Sequence, residues 1–120
     1  MAKPKHLQTG QKGEALAADL MISKGFEVLE RNYRFRKAEI DLIVRKDTLL
    51  VFVEVKARSN LMYGMPEEFV SKHKIKLVTA AAEHYTYSNK WHHNIRFDII
   101  AIIFYPNGTS DIMHFEDAFY

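Results

Sequence analysis

The stretch from Glu39 to Lys56 constrains the fold most, because it has the pattern of two β-strands joined by a tight turn. Residues 39–45 alternate polar and apolar side chains, whereas residues 49–56 are rich in Val and Leu. Between them, Lys46-Asp47-Thr48 carries residue types that favour turns. Because successive side chains of a strand point to opposite faces, the length of this turn decides which side chains of the hairpin meet.

Two turn lengths bring Asp41 and Glu54 to the same face of this hairpin. A two-residue loop, 46–47, makes them diagonal neighbours with Cβ atoms roughly 7–8 Å apart, and a four-residue loop, 46–49, pairs them directly at roughly 5 Å. Two carboxylates this close repel each other, and a hard divalent cation removes that cost. Lys56 shares the face of Glu54 and can orient a water or stabilise phosphate charge. The three side chains therefore suit metal-assisted phosphodiester hydrolysis.

A plainer alternative is a cross-strand ion-pair cluster on the solvent face of the hairpin. An Asp followed thirteen residues later by Glu-x-Lys also occurs by chance, so the hairpin alone favours this alternative. It predicts no metal affinity and a loss of stability when Glu54 is replaced by Ala.

The length and composition narrow the class of protein. A chain of 120 residues is long enough for one core, so we expect a single domain over residues 1–120, with residues 1–8 as a flexible tail. The absence of cysteine excludes disulfides and thiolate zinc sites. The polar, basic start has no apolar signal region, and the longest apolar run, 99–105, is strand-sized. We therefore expect a cytoplasmic protein that has no membrane partner.

Basic residues are concentrated around the hairpin, although the net charge is only +2. Residues 31–76 contain eleven Lys or Arg and six Asp or Glu. A basic field around an acidic pocket suits a phosphate backbone that crosses a metal site, although basic residues that merely solvate a surface give the same count. The candidates for nucleic-acid contact are Arg34, Arg36, Lys37, Arg58, Lys72 and Lys74.

Two helices are predicted, one on each side of the hairpin in sequence. The first runs from an N-cap at Thr9 to about Lys24 and carries Glu14 on the flank of its apolar stripe. There Glu14 either complements the helix N-terminus or leans over the hairpin as a third acid. Gly13 costs this helix roughly 1 kcal/mol relative to Ala, which points to close approach of another backbone or a ligand. The second helix, about 72–87, has Ser71 as its candidate N-cap.

The remaining strands complete an α/β domain. One begins at Phe26, and residues 96–105 form an almost continuous apolar run, typical of a strand buried on both faces. Asp98 in that run needs a partner, and Arg96 is the simplest one. An edge strand is predicted at 111–115. The order helix, three strands, helix, two strands predicts a mixed five-stranded sheet flanked by helices, αβββαββ.

Several motifs together resemble those of the YraN-like uncharacterised protein family. They are Gly13-Glu14, Glu39-Ile40-Asp41-Leu42-Ile43, Phe52-Val53-Glu54-Val55-Lys56, Arg96-Phe97-Asp98 and the stretch 114–119. The resemblance covers nearly the whole chain. It implies membership of the PD-(D/E)xK restriction-endonuclease-like superfamily, near the archaeal Holliday-junction resolvases, and so a three-layer nuclease fold. Ile40 stands where that superfamily has Pro, and Lys37-Ala38 where the family usually has two glycines.

The resemblance also implies roles for individual residues. It implies that Asp41, Glu54 and Lys56 are catalytic and that Glu14, Asp41 and Glu54 bind Mg²⁺ or Mn²⁺. Glu39 belongs to the family pattern and is expected to have at most a supporting or phosphate-repelling role.

These roles lead to a first hypothesis and a rival. The first is a metal-dependent DNA endonuclease, with branched, Holliday-junction-like DNA as a candidate substrate. A homodimer would match the two-fold symmetry of a four-way junction. The rival is a non-catalytic nucleic-acid-binding or adaptor protein that retains the nuclease fold. The complete set of two acids and a lysine favours the enzyme, because a protein without catalysis has no chemical need for that combination.

Overall fold

The computed structural model describes residues 5–59 and 71–118, which form two helices packed on a five-stranded sheet. The elements are α1 (Lys5–Ser23), β1 (Glu27–Phe35), β2 (Ala38–Lys46), β3 (Leu49–Arg58), α2 (Lys72–Ser88), β4 (Asn94–Phe104) and β5 (Ser110–Phe115). The strands lie side by side in sequence order. Strands β3 and β4 are parallel, and the other neighbouring pairs are antiparallel. This confirms the predicted three-layer α/β architecture and its order αβββαββ.

Each face of the sheet is covered by one helix. On one face Ala17 and Met21 of α1 pack on side chains of β2, β3 and β4. On the other face Val78 and Tyr85 of α2 pack on the same three strands. Strand β4 is buried on both faces, as its continuous apolar run predicted. No described helix combines the length and the apolarity that crossing a bilayer requires.

Helix α1 begins earlier than predicted, whereas α2 begins where it was predicted to begin. Helix α1 begins at Lys5, so residues 5–8 belong to the helix rather than to a loose tail, and residues 1–4 lie outside the described residues. Thr9 therefore stands inside the helix, because residues 5–8 contain neither Gly nor Pro to interrupt it. Ser71 caps α2 as predicted, with its Oγ accepting a hydrogen bond from the backbone N of Lys74 at 3.1 Å.

The hairpin register decides which acids meet. The turn consists of residues 47–48, because Lys46 pairs with Leu49, and the ladder continues to the pair Leu42–Val53. One step further, this register sets Asp41 opposite Glu54, which is the pairing expected from the four-residue alternative. The ladder stops at that point, and strands β2 and β3 diverge.

A second irregularity lies at the same level, between β1 and β2. Asn32 has a φ of 54° and lies opposite Asp41, between the pairs Arg31–Leu42 and Tyr33–Ile40. Leu42 packs in the core under α1, whereas Ile40 packs in the core under α2. Strand β2 therefore rotates its side chains at Asp41, so that this residue stands in the gap between the strands and faces both helices.

Gly13 lets α1 approach β3 closely. A Cβ atom at Gly13 would lie 2.6 Å from the Cβ of Ala57, whereas a Cβ at Gly10 on the same helix would meet no described atom within 4 Å. The close approach expected from Gly13 is therefore an approach to β3. It brings the next residue, Glu14, toward the end of the sheet where the strands diverge.

We expect Gly13→Ala to lower the free energy of unfolding by about 1–3 kcal/mol, because the added methyl overpacks the contact with Ala57. Gly10→Ala is the matched control and should raise it by about 0.5–1 kcal/mol through helix propensity alone. Urea unfolding followed by circular dichroism measures both changes. The double variant Gly13→Ala/Ala57→Gly should recover part of the loss, and equal gains in the two single variants would contradict the close packing.

Candidate functional site

A cleft of about 470 Å³ opens where β2 and β3 diverge, beside the start of α2. Its charged lining residues are Lys37, Glu39, Asp41, Glu54 and Lys74. A smaller recess of about 110 Å³ lies on the side of α1, and its polar lining residues are Gln11, Glu14, Arg31, Asn32 and Asp41. Because Asp41 lines both, the two spaces meet at its carboxylate.

Asp41 is held in place by the backbone of the neighbouring strand. Its Oδ2 accepts a hydrogen bond from the N–H of Val55 at 2.7 Å. Burial, followed by the charges of Glu54 and Glu14, raises the pKa of Asp41 to about 8, although the Val55 hydrogen bond and the charge of Lys74 act in the opposite direction. Among the described residues, no ion pair reaches this carboxylate. Burial and the neighbouring acids therefore disfavour the charged form of Asp41, and no described cation pairs with it.

Two glutamates approach Asp41 from the side of α1 and β2. Carboxylate oxygens of Glu14, Glu39 and Asp41 all lie within 4.8 Å of one another. We orient the Asn32 amide by its hydrogen-bond partners, so that its nitrogen donates to Glu14 Oε1 at 3.1 Å and to Glu39 Oε1 at 3.0 Å. Burial, then the charge of Glu39, raises the pKa of Glu14 against the hydrogen bonds from Asp41 and Asn32. Negative charge is thus in excess on this side of the site.

Glu54 is the acid that the lysines neutralise. It is 5% exposed, and its Oε1 lies 3.3 Å from Lys56 Nζ and also accepts a hydrogen bond from Lys74 Nζ. Burial, with a further contribution from Lys74, lowers the pKa of Lys56, although Glu54 opposes the shift. Burial also disfavours the charged form of Lys74, but the hydrogen bond and charge of Glu54 outweigh it and raise the pKa of Lys74. Two ammonium groups therefore share one carboxylate.

The donor set fits a hard divalent cation. The converging atoms are carboxylate oxygens, which Mg²⁺ and Mn²⁺ prefer as ligands. A cation between Asp41 and its neighbours would also compensate the charge that burial and repulsion leave unbalanced. Among the described residues, the oxygens that converge belong to Glu14, Glu39 and Asp41. Glu54, the third predicted ligand, is not in this group, and its Oε1 is held by Lys56 and Lys74.

Comparison with known sequences places the chain in a family. The family profile described as "Uncharacterised protein family UPF0102" matches residues 13–102. The chain belongs to this family. The predicted YraN-like family is therefore confirmed, and the match includes Glu14, Asp41, Glu54 and Lys56.

The similarity to UPF0102 relatives extends over most of each chain. A UPF0102 protein of Flavobacterium psychrophilum is 45% identical over 115 residues, which is 96% of either chain. One of Dictyoglomus turgidum is 43% identical over 110 residues, covering 91% of this chain and 92% of the relative. One of Clostridioides difficile is 38% identical over 108 residues, covering 89% and 95% respectively.

The residues predicted to contact nucleic acid are dispersed over the fold, and two of them line the cleft. Lys37 and Lys74 line the cleft. Arg34 is an exposed residue whose Nη2 pairs with Glu39 Oε2 at 2.8 Å. Arg36 lines a separate groove, beside the ring of Phe35.

Arg58 and Lys72 lie at the end of β3 and the start of α2. Strand β3 extends to Arg58, which was the condition for its predicted phosphate contact, and its Nη1 donates to the carbonyl of Ala57 at 2.9 Å. Lys72 is exposed at the first position of the helix.

Four polar residues of the site were not predicted from the sequence, and one of them is Gln11 in the recess. His73 lines the cleft beside Lys74, and Arg31 and Asn32 line the recess. His73 and Arg31 lie close in sequence to the predicted contacts. Predicting them required knowing which residues of α2 and β1 face the site. Asn32 carried a signal in its residue type, because Asn tolerates a positive φ better than most residues.

Asp98 is a second buried acid, and its surroundings differ from those of Asp41. Its two oxygens accept hydrogen bonds from Arg96 at 2.8 and 2.9 Å and from the backbone N of Asp117 at 3.0 Å. His114 Nε2 lies 2.7 Å from Oδ2, and Lys24 Nζ lies 2.6 Å from Nδ1 of the same ring, so the proton is on Nε2. Arg96 is confirmed as the partner, and Asp98 joins the C-terminal segment to the sheet.

The pKa of Asp41 predicts how its replacement affects stability. The folded protein holds the Asp41 proton more tightly than the unfolded chain, so this carboxyl loses stabilising effect as pH rises from 3.8 to about 8. Without metal, Asp41→Asn should therefore gain stability relative to the natural protein over this window, by more than about 1.4 kcal/mol, the equivalent of one pKa unit. Urea unfolding in chelator at pH 4.5 and pH 8 measures the gain.

The matched control is Asp47→Asn, an acid exposed in the hairpin turn. Its difference in unfolding free energy from the natural protein, measured at each pH, shows the effect of an Asp-to-Asn change outside the cleft. At pH 8, adding Mg²⁺ should raise the unfolding temperature of the natural protein more than that of Asp41→Asn. An Asp41→Asn difference that does not change with pH would contradict the buried, uncompensated acid.

Proposed function

We propose that this protein is a metal-dependent DNA endonuclease that acts in the cytoplasm and hydrolyses phosphodiester bonds. The observation that carries the proposal is the divergence of β2 and β3, which sets the Asp41 carboxylate between Glu54 and Glu14. Lys56 is not a lining residue of the cleft, but its Nζ lies 3.3 Å from Oε1 of Glu54, which is one. A purely structural ion-pair cluster would pair its acids with cations, as the cluster around Asp98 does, whereas burial and the neighbouring carboxylates raise the pKa of Asp41.

Each residue of the site has a role in this proposal. Asp41, Glu54 and Glu14 would hold Mg²⁺ or Mn²⁺, which when bound supplies Lewis-acid polarisation of the phosphate and activation of a water. The Val55 N–H fixes the orientation of the Asp41 carboxylate. Lys56 orients the attacking water or donates a hydrogen bond to the phosphate, where negative charge develops.

The surrounding basic residues would bind the DNA backbone. Lys37 and Lys74 line the cleft itself, within reach of phosphate oxygens that flank the scissile bond. Branched DNA is a candidate substrate, and a homodimer would match the two-fold symmetry of a four-way junction.

One observation favours the rival function, a non-catalytic nucleic-acid-binding or adaptor protein. Lys56 and Lys74 both contact Oε1 of Glu54, so this acid is neutralised without a metal. If the Lys74 contact persisted when DNA binds, the cleft would hold phosphate without cutting it. The two functions therefore differ in whether a divalent cation displaces Lys74 from Glu54.

Cleavage assays separate the two functions. Labelled linear, flap, single-stranded and four-way DNA are incubated with the natural protein in Mg²⁺, Mn²⁺ or chelator. We expect metal-dependent cleavage that Asp41→Asn reduces to background, because the variant loses a metal ligand, while Asp47→Asn cleaves normally. Asp41→Asn protein that cleaves would overturn the site, and DNA that is bound but uncut under every metal condition would establish the rival.

Replacing each lysine by Met tests their separate roles. Lys74→Met removes a cation that competes for Glu54, so Mg²⁺ should bind about fivefold more tightly, since a unit charge at 4 Å is worth about 1 kcal/mol even in water. Lys56→Met should reduce cleavage to background while DNA binding persists. Calorimetry measures the metal affinity, and Lys76→Met, exposed on the same helix, is the control. Unchanged metal affinity in Lys74→Met would show that Lys74 does not compete with the cation.

A further inference from the structure

A second concave surface lies beside the cleft, and we name it the aromatic groove. It has a volume of about 1140 Å³ and runs between the β1–β2 turn, the C-terminal half of α2 and the segment that leads to β4. The residues that define it are Phe35, Arg36, His84, Tyr87, Lys90 and Trp91.

The rings of Phe35 and Trp91 in this groove are held by contacts, and the ring of Tyr87 is uncovered. Tyr87 is 88% exposed, which core packing does not explain. The ring of Phe35 stacks on His84 with centroids 4.2 Å apart, and the His84 Nδ1 lies 2.9 Å from the hydroxyl of Tyr33. Trp91 is held by a hydrogen bond from its Nε1 to the carbonyl of Asn94 at 3.0 Å. Rings that are exposed or held in this way are flat surfaces of the kind on which nucleobases stack.

The charge of the groove matches that of a phosphate backbone. The Arg36 guanidinium lies 5.3 Å from the centroid of Phe35, and that of Arg45 lies 5.0 Å from a ring centroid of Trp91. Among the described lining residues, Arg36 and Lys90 are the Lys and Arg side chains and Glu83 is the one acid, whereas Arg45 contacts Trp91 without lining the groove. Cations placed beside aromatic rings are the combination that binds single-stranded nucleic acid.

The groove continues from the cleft along two elements. Lys37 lines the cleft, and the residue before it, Arg36, lines the groove. Helix α2 carries Lys74 at the cleft and Tyr87 at the groove, thirteen residues or about 20 Å apart along its axis. A strand that leaves the cleft can therefore follow α2 into the groove.

We propose that the aromatic groove binds a single-stranded segment of the nucleic acid that enters the cleft, with bases stacked on Tyr87 and Trp91 and phosphates near Arg36 and Lys90. Intact duplex does not fit this description, because its bases already stack on one another. The link to the cleft rests on the proposed nuclease function, but binding in the groove does not require catalysis.

Trp91 provides a direct reporter, since it is the only tryptophan of the chain. The protein in chelator is titrated with an oligothymidine, with the same length of abasic strand and with a duplex, while Trp91 fluorescence is followed. We expect quenching by the oligothymidine and much less by the other two. Tyr87→Ala should weaken oligothymidine binding about tenfold, within the range found when a stacking aromatic is removed. Ile22→Ala, an exposed apolar side chain on α1, is the matched control and should bind normally.

The outcomes separate this proposal from the nuclease proposal. Failure of every strand to quench, as expected if the groove instead takes a protein partner, would overturn it. Equal quenching by abasic strand or duplex would overturn base stacking. Groove binding without cleavage of any DNA would overturn the nuclease proposal and support the groove proposal. Suppose instead that Tyr87→Ala and Arg36→Ala change neither the cleavage of branched DNA nor the binding of oligothymidine. This result would overturn the groove proposal and support the nuclease proposal.

Discussion

The hydrogen bond from the Val55 N–H to the Asp41 carboxylate is the interaction on which the site depends. Strands β2 and β3 separate here, because β2 continues along β1 and β3 continues along β4. The separation removes the backbone acceptor that Val55 would otherwise find, and an unsatisfied buried N–H would cost about 1–3 kcal/mol. Asp41 supplies the acceptor from its side chain. The group that completes the hydrogen bonding of the sheet is thereby also the group that lines the cleft.

Asp41 and Asp98 are two acids of the same sheet with contrasting surroundings. Asp98 is fully buried, yet Arg96, His114 and the backbone of Asp117 satisfy both of its oxygens. Asp41 is less deeply buried than Asp98, yet its burial, followed by the charges of Glu54 and Glu14, raises its pKa. Stability alone would favour the Asp98 arrangement, because an uncompensated buried charge is costly. An acid kept in the Asp41 arrangement is more economically explained by a bound cation than by packing.

The sequence predicted the elements and their order because its hydrophobic periodicity is clear, and strand parity correctly set Glu54 and Lys56 on one face. It left the hairpin register between two loop lengths, because residues 46–48 are compatible with either turn. It also missed the rotation of β2 at Asp41, since strict alternation assumes a regular ladder and Asn32 breaks that ladder with a positive φ. It also did not separate Arg36 from Lys37. Arg36 has a positive φ and lines the aromatic groove, whereas Lys37 lines the cleft.

Helix α2 explains how these two surfaces could act on one substrate. Its start is fixed by the Ser71 cap and by the contact of Lys74 with Glu54, and its end carries Tyr87 beside the aromatic groove. Because an α-helix is stiff over this length, the separation of about 20 Å between cleft and groove is set by the helix rather than by a loop. A continuous duplex could occupy only the cleft, whereas DNA with an unpaired segment near the scissile bond could occupy both the cleft and the groove. Preference for branched over linear DNA would then follow from the spacing along α2, with the same chemistry at Asp41 and Glu54 in either case.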